Sequence, residues 1–346
     1  MEVDYIIVGC GLAGIAFCEQ LRKCNKSYLV FDNNSQISST VAGGLYNPVI
    51  LKRFTPVWRS QIQMKTSIPI YLEIEKRLGV QLDYKIPVFR LFNSIEEQNN
   101  WFAASDKPNL SPWISTTIIK NTNAYIDAGF GFGEVLESGR IDTSLLIRSY
   151  RKDLIESSML ITESFDHNGL KTDNDLVTYN SINAKHIVFA EGFGIRNNPF
   201  FNQLPLKGSK GELLIIHAPK LKIDFVLKSS VFIIPIGEDN YIIGSTYNRQ
   251  DKTNVPTPQA KEELLTKLNT FLKCEYEVID QFAGIRPTVI DRRPLVGSHE
   301  QFHNIFVLNG LGTRGVMIAP YVAKQLYDFI ETGMPLEKEI NIERFN

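Results

Sequence analysis

The chain is poor in the residues that usually announce a metal centre or a disulfide framework. It has four cysteines, Cys10, Cys18, Cys24 and Cys274, and five histidines, His167, His186, His217, His299 and His303, in 346 residues. Three of the cysteines crowd one short stretch without zinc-ligand spacing, and the histidines are scattered. The cysteines read as reduced thiols, small buried apolar residues of a cytoplasmic protein. Net charge is nearly absent, since 37 Lys+Arg against 38 Asp+Glu gives -1. That balance argues against a nucleic-acid coat or a polybasic membrane anchor. No run nears the roughly 18 apolar residues of a spanning helix. The apolar Tyr5-Ile6-Ile7-Val8 follows Glu2 and Asp4 rather than a basic segment, unlike an export signal. Repeats, low-complexity tracts and long linkers are missing as well. What remains is a 43% hydrophobic, 22% charged chain, ordinary for a globular protein and long enough for two intertwined domains.

The most informative stretch is "DYIIVGCGLAGIAFCEQL", four residues in. It reads as a strand over 5–8, a glycine turn and a helix over 12–23, followed by a second strand over 28–31. The pattern Gly9-x-Gly11-Leu12-Ala13-Gly14 suits a dinucleotide loop. The first glycine permits the tight turn, the second lets a pyrophosphate approach the backbone, and the third lets helix and strand pack closely. Amides and the positive dipole end of the helix then face the phosphates. Asp32 ends the second strand, placed to accept hydrogen bonds from a ribose diol, and Asn33 and Asn34 follow it without a cation. That argues against a 2′-phosphate and hence against NADP. Two further glycine-rich turns favour FAD over NAD. In "SSTVAGGLYNP", Thr40, Ala42, Gly43 and Gly44 can let a flat ring lie on bare backbone. In "GLGTRGV", Gly312, Thr313, Arg314, Gly315 and Val316 open the last helix, whose N-terminus suits a reduced flavin's negative charge.

Elsewhere, "HIVFAEG" at 186–192 is a buried strand running into glycine, and 304–333 is a strand, a turn and a long helix with Gly333 as C-cap. Residues 207–247 carry β-branched runs with turn signals, expected as antiparallel strands. Residues 257–273 are expected as a helix with Thr257 at the N-cap and Pro258 at N1. The fold class expected is therefore α/β. A Rossmann-like FAD-binding domain is built from 1–50, 135–205 and 283–346. A mixed or antiparallel-sheet α+β substrate domain is built from 51–134 and 206–282.

Taken in order, "DYIIVGCGLAG" with Asp32, "STVAGG", "HIVFAEG", "KGSKGELL", "IIGST", "FAGIRPTVIDRRPLVG" and "FVLNGLGTRGVMIAP" resemble the D-amino-acid-oxidase-like superfamily of FAD-dependent oxidoreductases, which includes glycine oxidase and sarcosine oxidase. The resemblance spans nearly the whole chain. It implies FAD held by the three turns together with Ala190, Glu191 and Gly192, although "AEG" stands where that family more often has "AAG" or "ASG". It implies oxidation of a C–N bond in a small amine or amino acid by hydride transfer to the flavin, with oxygen or a quinone as final acceptor. The substrate carboxylate falls to Arg286 of "GIRP", whose planar fork suits two parallel charge-assisted hydrogen bonds. The competing role for Arg286 is a structural bridge to Asp291. Some relatives hold the flavin covalently through a cysteine near this segment. None lies between Phe282 and Asp291 here, so dissociable FAD is expected.

Arg314 is similar to the arginine of a "GLGxRG" turn in the FAD module of the bacterial bifunctional enzyme that makes methylaminomethyl-uridine in tRNA. That likeness implies, as an alternative, a carboxymethylaminomethyl-uridine-like substrate on tRNA, with Lys52, Arg53 and Arg314 toward nucleic acid; Lys52, Arg53 and Arg59 otherwise form an ordinary solvated face. A flavin-binding protein without turnover is the third reading. Tyr247 joins Arg286 and Arg314 as a candidate catalytic residue, and Tyr46 and Trp58 are further candidates for the substrate pocket, against a plain packing role.

Overall fold

In the computed structural model, which describes residues 1–173 and 176–345, the expected first unit is present. Strand β1 (Glu2–Val8), helix α1 (Leu12–Lys23) and strand β2 (Tyr28–Phe31) follow in turn. Helix α2 (Ser60–Leu78), strands β3 (Val88–Leu91) and β4 (Phe132–Val135), helix α3 (Thr143–Glu156) and strand β5 (Ile182–Phe189) come next. Strands β6 (Ser209–His217), β7 (Val226–Lys228), β8 (Phe232–Gly237) and β9 (Asn240–Gly244) lead to helix α4 (Pro258–Asn269). Strands β10 (Glu277–Arg286) and β11 (Ile305–Asn309) and helix α5 (Gly315–Thr332) complete the principal elements.

Two eight-stranded sheets divide the molecule. The first is parallel at its centre, with β2, β1, β5 and β11 side by side and Ile6, Ile187 and Ile305 in one cross-strand row. The strands are apolar on both faces because both faces are covered. Helices α1, α2 and α5 share one cluster, and Phe189, Ile195 and Phe201 belong to another. Gly9 (φ +106°) explains why the turn after β1 must be glycine, since a Cβ there would stand 2.5 Å from the Ala190 carbonyl oxygen. A Cβ on Gly14 would run into the Gly9 carbonyl, so the third glycine sets the closeness of α1 to its strand.

The second sheet runs β10–β6–β9–β8–β7–β3–β4 and on to an edge strand at Ile114–Ile119. All pairings are antiparallel except β7 with β3, which makes the sheet mixed as expected. Helix α4 starts where its signals place it: Thr257 accepts from Ala260 N at 3.3 Å and Pro258 opens the first turn. Its Leu264 and Leu268 pack with Leu214, Ile216 and Ile243 on one face of this sheet, leaving the other face toward the first domain.

Helix α2 comes from the 51–134 segment but packs with the first sheet's helices, where Met64, Tyr71 and Ile74 join α1 and α5 in one core. The contact is polar as well as apolar. Pro320 lies inside α5 and lacks the N–H that would satisfy the Val316 carbonyl. Tyr71 Oη donates to that oxygen at 2.9 Å, and Ser67 Oγ donates to the Met317 carbonyl at 2.6 Å. Strand β10 likewise runs unbroken through residue 283, so one strand carries Arg286 from the second sheet into the junction.

Candidate active site

Between the two sheets lies a cavity of about 470 Å³, well inside the range of ligand pockets. Its walls come from the β1–α1 turn, from segments 31–47, 163–167 and 190–197, from the facing second sheet, and from the turn into α5. The expected residues Gly9, Gly11, Leu12, Ala13, Asp32, Asn33, Ala42, Gly43 and Gly44 all line it. So do Ala190, Glu191, Gly192, Arg286, Gly312, Thr313, Arg314, Gly315 and Val316. Gly14, Thr40 and Tyr247 do not. Gly14 is spent on helix packing. Tyr247 is 49% exposed, with the Arg249 guanidinium over its ring. Tyr46 and Trp58 are also outside the lining. The Tyr46 hydroxyl donates to Asp83 at 2.6 Å and Trp58 Nε1 donates to Glu339 at 3.0 Å, so packing wins for both.

Asp32 is more heavily engaged than a sequence can tell. Its Oδ2 accepts from Cys10 N at 2.5 Å, and its Oδ1 accepts from Asn34 N at 2.6 Å and from Arg151 Nη1. With about four lone-pair sites on a carboxylate, it keeps room for one more donor such as a ribose hydroxyl. Arg151, on α3, gives no signal in the sequence, because it lies 119 residues away. Beside it, Glu191 accepts from Asn198 Nδ2 at 2.7 Å and pairs with His167 Nε2 at 2.9 Å. The glutamate that departs from the common "AAG" pattern therefore has local partners.

The cavity accommodates a flat dinucleotide for a steric reason. Gly192 (φ +55°) and Gly312 (φ +60°) both line it, and a Cβ on either would meet no atom within 4 Å. A side chain at these positions would fill the cradle instead of the ligand. Across from them, Gly211 on β6 and Gly284 on β10 are register partners and line the cavity with Gly244 on β9; the space a Cβ would take is filled by Arg286 at Gly211, by Val41 at Gly284 and by Leu213 at Gly244.

Arg286 lies over Gly211. A Cβ on Gly211 would coincide with its guanidinium, so glycine is what lets the group lie flat. Nη2 donates to Ser245 Oγ at 2.7 Å and Nη1 to the Thr246 carbonyl at 3.3 Å. Asp291 is taken by Arg344 at 2.8 Å, which removes the structural-bridge role considered above. No acid pairs with Arg286 among the described residues, and burial draws its pKa below the ordinary arginine value. Sequence reading missed Ser245, Thr246 and Gly211, although "IIGST" and "KGSKGELL" contain them.

The model of the DAO family, described as FAD dependent oxidoreductase, matches residues 4–329. Glycine oxidase of Bacillus subtilis strain 168 is 23% identical, the match covering 98% of this chain and 94% of that protein. The tRNA 5-methylaminomethyl-2-thiouridine biosynthesis bifunctional protein MnmC of Idiomarina loihiensis is 26% identical, but over 41% of this chain and 24% of its own length. Among solved structures, iminodiacetate oxidase from Chelativorans sp. BNC1 superposes with a TM-score of 0.80 at 16% identity, covering 99% of this chain and 98% of that one. With the family model spanning the cavity walls from the β1–α1 turn to α5, the chain belongs to the DAO family and is an FAD-dependent oxidoreductase.

Proposed function

We propose that the protein oxidises the C–N bond of a small amine or amino acid whose carboxylate is held by Arg286. The observation that carries this reading is a guanidinium that no acid pairs with among the described residues, lying flat over Gly211 in the same cavity as the dinucleotide loop. Full-length likeness to glycine oxidase supports the substrate class.

Bound FAD supplies the two-electron acceptor for the hydride leaving the substrate's α-carbon. The residues fitted to hold it are Gly9, Gly11 and Ala13 at the β1–α1 turn, Asp32 with Asn33, the Gly43-Gly44 turn, Gly192, and the turn into α5. Arg286 fixes the substrate by charge-assisted hydrogen bonds. Ser245 Oγ and the Thr246 carbonyl occupy one edge of its guanidinium, which orients the remaining donors. Positioning of this kind accounts for much of the rate in such reactions. The first amides of α5 contribute a fixed positive potential at the cavity wall. Leu213, Phe232 and Ile234 make the opposite wall apolar, which excludes water and strengthens each charge contact within.

The test is anaerobic mixing of the yellow holoenzyme with glycine, N-methylglycine and D-amino acids, followed by loss of flavin absorbance. Bleaching that Arg286→Ala slows by two orders of magnitude or more supports the reading. Bleaching at the same rate in both proteins overturns it. Repetition in air, with peroxide measured, separates oxygen from a quinone as acceptor. Low-salt tRNA retention would favour the nucleic-acid reading, and flavin that no donor reduces would favour a protein without turnover.

A further inference from the structure

Arg286 is not the cavity's sole unbalanced charge. Arg314 caps α5 and lines the same cavity. Its backbone is committed, the N–H to Leu311 O and the carbonyl to Met317 N and Ile318 N. Its side chain has no hydrogen bond, ion pair or ring partner among the described residues. Burial lowers the guanidinium's pKa, and among the described residues no neighbouring anion counteracts it. The two arginine-bearing segments are tied together, because Gly312 N donates to the carbonyl of Pro287, the residue after Arg286, at 3.1 Å.

The acids that line the cavity are Asp32, Glu163 and Glu191. Asp32 is bound by Arg151 and Glu191 by His167, and Glu163 pairs with neither Arg286 nor Arg314. Two arginines thus line one cavity, and among the described residues no protein anion pairs with either. Bound FAD brings its own charge on the diphosphate, which the β1–α1 turn and the start of α1 are built to hold; beside it, a monocarboxylate on Arg286 leaves Arg314 with no anionic partner from protein or substrate, which is unfavourable. Arginine does not escape by losing its proton.

Building on the amine-oxidising reading above, we propose that the preferred substrate is dianionic: an amine or amino acid bearing two carboxylates, one on Arg286 and the second on Arg314. Exposed lysines around a pocket would give only weak, screened preference; two half-buried arginines tied by a backbone hydrogen bond give discrimination by charge number.

The experiment separates this inference from the parent reading by using ligands that cannot be oxidised at nitrogen. Thiodiacetate and (methylthio)acetate, which differ by one carboxylate, are titrated into oxidised holoenzyme, and binding is followed by the shift of the flavin visible bands. Thiodiacetate is expected to bind at least tenfold more tightly. Arg314→Met is expected to reduce that ratio to about two or less, and Arg314→Lys to retain part of it. Equal affinity for the two acids overturns the proposal. So does an Arg314→Met variant that weakens both equally, or one that shifts the flavin midpoint potential and leaves the ratio intact; the last outcome would assign Arg314 to the cofactor. In parallel, iminodiacetate is compared with N-methylglycine in anaerobic bleaching. Bleaching by neither removes the amine-oxidase reading, whereas bleaching by both with equal half-saturating concentrations overturns only the dianion preference.

Discussion

Gly211 offers the sharpest test of how the carboxylate-binding group is held. Replacing it with alanine places a methyl group where the Arg286 guanidinium now lies, and the contact is with the group's central carbon and both terminal nitrogens, so rotation of one nitrogen does not relieve it. The guanidinium has to lift off the sheet, away from Ser245 Oγ and the Thr246 carbonyl. Losing alignment for one of two charge-assisted hydrogen bonds to a bound carboxylate costs about 1.5–3 kcal/mol. At 1.4 kcal/mol per factor of ten, that is roughly a 10- to 100-fold loss of affinity. The strand itself should survive, since alanine is favoured over glycine there by about 0.5–1 kcal/mol. The assay is a titration of (methylthio)acetate into oxidised holoenzyme, with a melting curve as control. Affinity within twofold of wild type, at unchanged melting temperature, would refute the idea that the bare backbone of Gly211 positions this arginine.

Other expectations follow from the same contacts. Gly192→Ala puts a methyl group into the cradle and should yield protein with strongly reduced FAD content, read from the ratio of absorbance at 450 and 280 nm, roughly the flavin and protein bands. Lys210 is wholly buried and donates to Asp251 at 2.6 Å beside buried Glu212, so Lys210→Met should cost about 3–5 kcal/mol by leaving those acids uncompensated. Urea denaturation measures that loss. Asp251 is held down to about 2 by hydrogen bonds from Lys210 and Thr253. A carboxylate below its unfolded value of about 3.9 adds stability that is complete above that pH and disappears as the pH falls toward 2. Asp251→Asn should therefore flatten the acid limb of a stability-versus-pH curve between about pH 4 and 2. Tyr247→Phe should leave carboxylate affinity within twofold, because the residue stands outside the cavity.

Local grammar carried much of the fold into view before any coordinates. The Gly9-x-Gly11-x-x-Gly14 loop, the Thr257-Pro258 helix start and the Gly333 stop each depend on neighbours a few residues away, and each is where its spacing puts it. What stayed hidden depends on distant pairs. Arg151 reaches Asp32 and Tyr71 reaches Val316 across more than a hundred residues, with no local pattern to mark either. Tyr247 is hidden for the converse reason, since an aromatic beside "IIGST" looks like a pocket residue, whereas the strand ends at Gly244 and the loop beyond it leaves Tyr247 half exposed and outside the cavity lining. Gly211 of the second sheet was visible as a letter, but the flat guanidinium it admits is a property of two strands in register.

The paired carbonyls of Val316 and Met317 have a mechanical consequence. Tyr71 and Ser67 act as pegs seated one turn apart on α2: Tyr71 fills the socket that Pro320 opens at the Val316 carbonyl, and Ser67 adds a bond to the Met317 carbonyl. Sliding one helix along the other by a fraction of a turn would unseat both pegs and leave the Val316 carbonyl without a donor in a buried layer. The pair therefore has a single stop rather than a continuum of positions. The two helices are thus expected to move as one piece, which makes this seam a rigid part of the molecule.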